Sequence, residues 1–287
     1  MNKEIRQLHK GDYSFFEAMD TGIKDDYILR IFERLTTGNH RLYGLFIGNK
    51  LISMGGYTVF AGYYAMLGRL RSDRRYRGNN MATKILTHVM NEAFQLNGIQ
   101  WVGGNTQEDN IPARRVLEKL GLNTYTTLHG AVTQVPIVHE SGSKIWSPIH
   151  SLERKKRWLR EKYVKPEAVF PYEVYYSFPA SNALFQEEEI MEWSFYENHD
   201  KTRFLITKKD QKKNHYLHVI YPWSDIGVQQ GLWETVSKDY LKLLEETEES
   251  EEDAYIWIDI KKNEINSLPN EHSFELPTPW VLYGKTK

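Results

Sequence analysis

Cysteine is absent from this chain of 287 residues. Its absence excludes disulfide bonds, thiolate catalysis and cysteine-ligated zinc, and no other metal site is expected. The sequence also has no long apolar run and no apolar N-terminal segment of the signal-peptide kind. We therefore expect a cytoplasmic protein without a membrane partner.

Neither sign of charge predominates, since 37 Lys and Arg residues stand against 38 Asp and Glu residues. This balance argues against binding to nucleic acid through bulk electrostatics. Hydrophobic residues make up 40% of the chain, which is typical of a folded protein and excludes disorder throughout. At roughly 150 residues per domain, the length predicts about two domains.

A change of composition near the middle of the chain marks the predicted boundary between these domains. Ser141-Gly142-Ser143 is typical of a linker, and the basic stretch that follows, residues 152–160, has apolar residues at near-helical spacing. A solvated helix face explains such a stretch better than contact with nucleic acid does, so no nucleic-acid partner is expected. We predict a first domain over 1–138, a linker and connecting helix over 139–168, and a second domain over 169–287.

The pattern of the first domain is that of a mixed α/β arrangement. Gly48-Asn49 separates two apolar runs by two residues that accept positive φ, which predicts an antiparallel hairpin. A series of strands followed by β-α-β alternation predicts one mixed central sheet flanked by helices. Strands are predicted over 4–8, 40–47, 50–60, 63–71, 99–106 and 123–135, and helices within 13–35 and over 81–96 and 111–120.

The segment that most directly suggests a function joins a predicted strand to a predicted helix. It reads Arg71-Ser72-Asp73-Arg74-Arg75-Tyr76-Arg77-Gly78-Asn79-Asn80-Met81-Ala82-Thr83. The free amides and positive dipole end of the first helical turn favour a phosphate or pyrophosphate, and Gly78 and Ala82 permit close approach. The arginines between residues 69 and 77 add attraction for an anion, unless they pair with surface carboxylates.

A second motif follows the next strand and reads Asn110-Ile111-Pro112-Ala113-Arg114-Arg115-Val116-Leu117-Glu118-Lys119-Leu120-Gly121. Proline stands early in the predicted helix and glycine at its end, so an amide side chain is presented at the helix start. Together the two motifs resemble those of the GNAT superfamily of acyl-CoA-dependent N-acyltransferases. Arg77-Gly78-Asn79-Asn80-Met81-Ala82 is similar to the pyrophosphate loop of that family, and the resemblance covers roughly residues 3–135.

The resemblance implies that acyl-CoA, here acetyl-CoA, lies where two parallel strands splay, over residues 63–72 and 99–106. Backbone groups at the end of the first strand would hold the pantetheine arm, the loop amides would cradle the pyrophosphate, and Asn110 would bind near the thioester. An amine is the implied acceptor. The implied cofactor-binding residues are Arg71, Ser72, Arg77, Gly78, Asn79, Asn80, Met81, Ala82, Thr83, Asn110 and Ala113.

Three departures from the family pattern concern the chemistry. Asn80 replaces a glycine and could crowd the pyrophosphate. Leu117 stands where many members place the tyrosine that protonates the departing thiolate, and the strand over 63–71 has no carboxylate to serve as a general base. Tyr125 and Asn105 are the catalytic candidates that remain. Arg69 or Arg71 could instead select an anionic acceptor through bidentate pairing.

The second half has aromatic and β-branched runs that suggest a strand meander, then a helix over 233–244, a strand over 255–260, a helix-like segment over 263–268 and a final strand over 280–283. The strand-like runs of the meander are 172–178, 190–196, 203–208 and 216–221. This order suggests a degenerate second copy of the same fold that does not bind CoA. Its tryptophans are expected mainly in the core, although they could line a substrate cleft or a subunit interface, which leaves a homodimer open.

These features favour an enzyme that transfers an acetyl group from acetyl-CoA to a primary amine in a ternary complex, without a metal. The missing tyrosine and carboxylate keep a second possibility open. In that alternative the protein is a non-catalytic acyl-CoA-binding or protein-interaction module.

Overall fold

The computed structural model describes residues 3–136, 144–269 and 272–287. They form two compact units: unit 1 comprises the chain up to Tyr125 together with Leu282–Lys287, and unit 2 lies between Thr126 and Val281. These limits differ from the predicted ranges 1–138, 139–168 and 169–287, because each unit contains a strand from the other half of the sequence. The predicted linker Ser141-Gly142-Ser143 lies outside the described residues.

The secondary structure follows the prediction closely in the first half of the chain. The helices are α1 Tyr13–Glu17, α2 Tyr27–Leu35, α3 Met81–Gln95, α4 Ile111–Lys119, α5 Leu152–Leu159, α6 Glu187–Glu192 and α7 Leu232–Glu246. The strands are β1 Lys3–Gln7, β2 His40–Ile47, β3 Lys50–Phe60, β4 Tyr64–Ser72, β5 Trp101–Gln107, β6 Asn123–Thr133, β7 Ser147–Pro148, β8 Val169–Glu173, β9 Tyr176–Pro179, β10 Ser194–Glu197, β11 Phe204–Gln211, β12 His215–Ile220, β13 Ala254–Lys261 and β14 Trp280–Thr286.

The sheet of unit 1 has the strand order β1-β2-β3-β4-β5-β14. Strands β1 to β4 pair antiparallel, β4 and β5 pair parallel, and the predicted hairpin between β2 and β3 is confirmed. Helices α1 and α2 cover one face of the sheet. Met54 of β3 lies on that face, since it belongs to the same apolar core as residues of α1 and α2. The adjacent Gly55 faces Leu86 of α3, because successive strand residues point to opposite faces. The predicted mixed sheet flanked by helices is therefore confirmed.

Unit 2 has the strand order β6-β13-β12-β11-β10-β7, in which β12 and β13 pair parallel and the other pairs are antiparallel. Helix α7 connects the parallel strands and buries Trp233 and Tyr240 in the core. Strands β8 and β9 form a separate hairpin. The predicted connecting helix is found as α5.

The predicted strand over residues 190–196 is wrong in its first half, which belongs to helix α6. Glu187, Glu188 and Glu189 fill the first turn of α6, where carboxylates interact favourably with the helix dipole. At the other end, the buried Lys155 ammonium donates to the carbonyls of Ile190 and Trp193 at 2.9 and 2.6 Å. This long-range cap was invisible in the local pattern.

The two units share a local plan around their parallel strands. Helices α3 and α7 both have 15 residues and both connect the two parallel strands of their unit. Each begins after a residue with left-handed backbone, Asn80 with φ 55° and Gly231 with φ 77°.

Among the described residues, no helix is both long and apolar enough to span a bilayer.

Candidate functional site

The parallel strands β4 and β5 of unit 1 stop pairing before either strand ends. Their register runs from Tyr64 opposite Trp101 to Leu67 opposite Gly104 and ends there, although β4 continues to Ser72 and β5 to Gln107. The backbone groups beyond this point cannot bond across the pair. The end of pairing falls within the two segments in which a splay was predicted.

A β-bulge lies in β4 one residue beyond Leu67, the last residue that pairs with β5. Met54 of β3 pairs with Arg71 and Gly56 pairs with Gly68, so Arg69 and Leu70 together oppose the single residue Gly55. Arg69 has φ 57°, a left-handed conformation that costs a non-glycine residue roughly 1 kcal/mol. Bulges re-aim backbone and side chains beside active sites. No sequence prediction identified this bulge.

The loop before α3 has the backbone that an anion site at a helix N-terminus needs. Gly78 has φ 83° and Asn80 has φ 55°, and the side chain of Asn80 does not cap the helix. The carbonyl of Asn80 accepts from the Lys84 amide at 3.0 Å. The amides of Met81, Ala82 and Thr83 precede that bond and have no intrahelical acceptor.

Asn80, which departs from the family pattern, has the left-handed conformation that asparagine tolerates better than most residues. Its side-chain oxygen accepts a hydrogen bond of 3.4 Å from the Lys119 ammonium at the end of α4. Lys119 therefore brings a positive charge to the loop. Asn79 stabilises the same loop through hydrogen bonds from its side-chain amide to the carbonyls of Tyr76 and Arg77.

The arginines around the loop divide into two groups. Arg71 makes a bidentate pair with Asp26, with Nε–Oδ2 and Nη2–Oδ1 distances of 2.5 and 2.9 Å. Arg74 pairs with Asp20 and Arg75 with Asp73. In the described residues, neither Arg69 nor Arg77 has such a carboxylate partner. Pairing with carboxylates therefore explains part of the basic run but not all of it.

Arg71 and Ser72, predicted to hold the pantetheine arm through their backbone, follow the bulge and form hydrogen bonds with β3. The Ser53 hydroxyl donates to the Arg71 carbonyl at 2.8 Å and lies 2.8 Å from the Ser72 hydroxyl. Asp26 engages the guanidinium of Arg71. A role of Arg71 in selecting an anionic acceptor is therefore not supported by its contacts.

Asp26 has both a structural role in α2 and a buried charge. Burial would raise the pKa of its carboxyl, but hydrogen bonds from Arg71 and from the Ile28 amide, together with the Arg71 charge, outweigh this and lower it. A lowered pKa means that the folded state stabilises the ionised carboxylate of Asp26 more than the unfolded state does. Its contribution to stability is therefore present above the unfolded pKa of roughly 3.9 and is lost as pH falls through the folded value.

We expect Asp26→Asn to destabilise the protein by about 3–5 kcal/mol at pH 7, because it leaves the half-buried Arg71 charge without its partner. Asparagine still caps α2, so loss of the cap does not contribute. The measurement is urea unfolding at pH 7 and pH 3, and the difference from wild type should shrink at pH 3. Asp20→Asn is the matched control, since its exposed pair with Arg74 is worth at most about 1 kcal/mol. Equal losses in both variants would contradict the assignment.

The predicted residues on α4 and β5 belong to the elements that follow the end of the β4–β5 pairing. Asn110 caps α4 by accepting from the Ala113 amide at 3.3 Å, and its amide nitrogen can still donate. Leu117 is buried, and its Cδ2 lies 2.6 Å from where a Cβ on Gly104 would be. Leu117 therefore packs on Gly104, the last residue of β5 that pairs with β4. Position 117 is the one at which the resemblance to the family leads us to expect a tyrosine.

The catalytic candidates Asn105 and Tyr125 lie toward the other face of β5. Asn105 directly follows Gly104, the last paired residue, and is half-buried. Tyr125 is exposed and meets Trp101 edge-on, with 6.0 Å between ring centroids. Because Trp101 and Asn105 alternate with Gly104, they share the face opposite Leu117.

Tyr283 is a site-flanking residue that sequence reasoning missed. Its hydroxyl accepts from Arg114 Nε at 3.0 Å and donates to Glu118 Oε1 at 3.2 Å, so it fixes two side chains of α4. No local signal marks it, because it lies in β14 at the far end of the chain.

Within the described residues, no group of His, Asp and Glu side chains could hold a metal ion.

The sheet of unit 1 thus combines a parallel pair that separates, a bulge beside it, and a helix that begins after left-handed backbone. Residues 2–122 match the acetyltransferase (GNAT) family. This part of the chain is therefore a GNAT acetyltransferase domain, a domain of the transferase class. The general activity of the class is acyl transfer from acyl-CoA to an acceptor.

Two solved structures have the same fold over nearly the whole chain. A GCN5-related N-acetyltransferase from Sphaerobacter thermophilus is 11% identical, with a TM-score of 0.52, over 99% of this chain and 95% of that one. A GCN5-related N-acetyltransferase from Kribbella flavida is 9% identical, with a TM-score of 0.51, over 98% of this chain and 70% of that one. No curated protein matches the sequence.

Proposed function

We propose that unit 1 binds acetyl-CoA in the cleft between β4 and β5 and transfers its acetyl group to a primary amine in a ternary complex. The observation that carries this proposal is the loop before α3. The backbone is left-handed at Gly78 and Asn80. The first turn of α3 follows, and three of its amides have no intrahelical acceptor. The loop comes after the stretch of β4 that pairs with β5.

The pyrophosphate would lie against the amides of Met81, Ala82 and Thr83, where the helix dipole and the N–H groups both favour negative charge. Arg77 and Asn79 belong to the exposed edge of this loop. Lys119 adds a cation at hydrogen-bond distance from Asn80. We therefore expect this contact to rearrange when the nucleotide binds, because an ammonium interacts more strongly with a phosphate than with a neutral amide.

The pantetheine arm would run between the separated ends of β4 and β5, along the backbone of Arg71 and Ser72. Asn110 can donate its side-chain amide near the thioester, while Ala113 supplies the amide that fixes the Asn110 side chain. In this proposal, the bulge at Arg69 and Leu70 would turn backbone toward the gap. An N–H group aimed at the thioester carbonyl would stabilise the oxyanion of the tetrahedral intermediate.

In the proposed reaction, the neutral amine attacks the thioester carbonyl, the C–S bond breaks, and CoA leaves as a thiolate. The ammonium proton passes to solvent or to a nearby base. Leu117 supplies no proton to the thiolate, so catalysis would rest on positioning and on polarisation of the carbonyl. Asn105 and Tyr125 remain the proposed polar groups for orienting the amine or a water.

Unit 2 is proposed to be a degenerate copy of the fold that does not bind CoA. The helix start equivalent to the loop of unit 1 is covered by the chain itself. A Cβ on Gly231 would lie 2.1 Å from the Lys144 carbonyl oxygen, and the Trp146 amide donates to Thr235 of α7 at 2.8 Å. No room is left there for a pyrophosphate.

Isothermal titration of the protein with acetyl-CoA, and with free CoA, tests the proposal directly. We expect saturable binding of about one equivalent, followed by release of CoA thiol when amines from a panel are added. Absence of binding would overturn the site. Binding without turnover of any amine would instead favour the alternative function, an acyl-CoA-binding or interaction module, which the apolar Leu117 supports.

A further inference from the structure

A cavity of about 400 Å³ lies in unit 1 beside the segment that joins α1 to α2. Its lining includes Phe16 of α1, Leu29 of α2, residues of the joining segment, and Arg74, which follows β4. Pockets of this volume bind small organic molecules. We therefore asked what it adjoins and which chemistry its walls favour.

The cavity adjoins the end of β4, along which the pantetheine arm would run. Asp26 lines the cavity and holds the Arg71 guanidinium in its bidentate pair. Arg71 pairs with Met54 across β3 and β4, and Met54 belongs to the core under α1 and α2. Because paired residues point to the same face of a sheet, the Arg71 side chain is on the side of these helices. One ion pair thus connects the cavity to the backbone proposed to hold the cofactor.

The wall formed by Arg74 is fixed to the joining segment. The backbone amide of Arg74 donates to the Asp20 carbonyl at 2.8 Å, and its Nε donates to the Asp20 carboxylate at 3.0 Å. A Cβ on Gly22, which has φ 73°, would lie 2.7 Å from the Cδ of Arg74. Glycine therefore allows the segment to approach this side chain closely, so the fold itself builds the wall.

The floor of the cavity is apolar. Phe16 and Met19 are buried, and Leu29 packs against the same core. Two large apolar side chains beside this floor remain uncovered, since Ile23, which lines the cavity, is 49% exposed and Tyr27 is 46% exposed. The Tyr27 ring lies 5.8 Å from the guanidinium carbon of Arg71. An apolar group in the cavity would cover surface that the fold leaves in contact with water.

The charges around the cavity balance, so they favour neither a polycation nor an acid. Asp20 pairs with Arg74, and Asp26 pairs with Arg71. These pairs neutralise both aspartates that line the cavity. The other charged lining residues have opposite signs and are exposed, and they are Glu17 and Lys24.

We infer that the acceptor of unit 1 is a primary amine with an apolar alkyl or aryl substituent, which occupies this cavity. The inference rests on the proposed function, because the cavity adjoins the expected path of the pantetheine arm. Burial of the substituent against Phe16, Leu29 and Ile23 would drive binding. The amino group at the other end of the molecule would then face the thioester.

The test compares 2-phenylethylamine and hexylamine with ethanolamine and putrescine. Each amine is titrated into the protein saturated with CoA, so that binding is measured without turnover. We expect both apolar amines to bind about tenfold or more tightly than the other two, which corresponds to burial of about 60 Å² of apolar surface. Failure of the apolar amines to bind, equal binding of all four amines, or tightest binding of putrescine would overturn the inference.

Ile23→Ser should weaken binding of the apolar amines by about threefold to tenfold, because it removes apolar surface from the cavity. Ile23→Leu should preserve their binding, and so should Leu96→Ser, which removes a 37% exposed apolar side chain at the end of α3. Equal effects of Ile23→Ser and Leu96→Ser would also contradict the inference.

Acetyl-CoA titration of the same samples distinguishes failure of this inference from failure of the proposed function. Loss of acetyl-CoA binding in the wild-type protein counts against the proposed function. Retained acetyl-CoA binding without a preference for apolar amines counts only against the acceptor inferred here.

Discussion

Ala82→Glu should lower the affinity of unit 1 for acetyl-CoA by roughly a hundredfold. The substitution places a carboxylate in the first turn of α3, against the expected position of the pyrophosphate. Two like charges about 5 Å apart repel by about 3 kcal/mol at an effective dielectric constant near 20, which corresponds to that loss. Isothermal titration at low salt is the measurement, and the penalty should shrink at high salt because the charges are screened.

The same substitution should not harm the fold. A glutamate in the first turn interacts favourably with the helix dipole, so the melting temperature should stay equal or rise slightly. Ala82→Gln is the matched control, because it adds the same bulk without charge and should weaken binding by less than about tenfold. If acetyl-CoA bound wild type and Ala82→Glu equally well, the pyrophosphate would have to lie elsewhere.

The parts of the site that follow from local rules were predictable. A Gly-Asn-Asn turn between a strand and a helix tolerates left-handed backbone, and the structure has it at Gly78 and Asn80. Proline and glycine at its two ends marked α4, which runs from Ile111 to Lys119. These features depend on residues within one turn of each other, so a single sequence contains the information.

The features that escaped prediction depend on residues distant in the sequence. The bulge at Arg69 arises from its pairing with β3, and the contact between Lys119 and Asn80 connects two helices. Whether Arg71 binds a substrate or a neighbour was undecidable until Asp26 was found beside it. Charge patterns alone cannot distinguish an arginine paired within the fold from one such as Arg69.

The assignment of strands to the two units depends on contacts between residues that are even farther apart in the sequence. The final strand was predicted, over 280–283, but was assigned to the second domain. In the structure, Leu282–Lys287 belongs to unit 1, where it lies next to β5. The alternation of apolar residues shows which face of a strand is buried, but it does not show with which other strand it pairs.

Removal of Leu282–Lys287 should therefore abolish acetyl-CoA binding, although these residues are the farthest in sequence from the loop before α3. Leu282 and Tyr283 are each only 1% exposed. Losing two buried side chains costs about 3–6 kcal/mol, before the strand hydrogen bonds are counted. This is a large part of the total stability of a domain, roughly 5–15 kcal/mol.

The loss of stability should be greatest at β5, which would form one wall of the proposed cleft. The Trp101 indole packs so closely that a Cβ on Gly103 or Gly284 would lie 2.0 or 2.2 Å from it, and the Lys287 amide donates to the Gln100 carbonyl at 2.8 Å. Without β14, this indole and the edge of β5 are exposed to water.

Truncation after Lys285 is the matched control for this experiment. It keeps Leu282, Tyr283 and Gly284 and removes the hydrogen bond to Gln100, so acetyl-CoA binding should survive with a modest fall in melting temperature. Tyr283→Phe separates packing from hydrogen bonding, because it keeps the ring and loses the bonds to Arg114 and Glu118, each worth about 1–3 kcal/mol. Full binding of acetyl-CoA by the chain that ends at Val281 would mean that unit 1 folds without its last strand, and the assignment of these residues to it would fail.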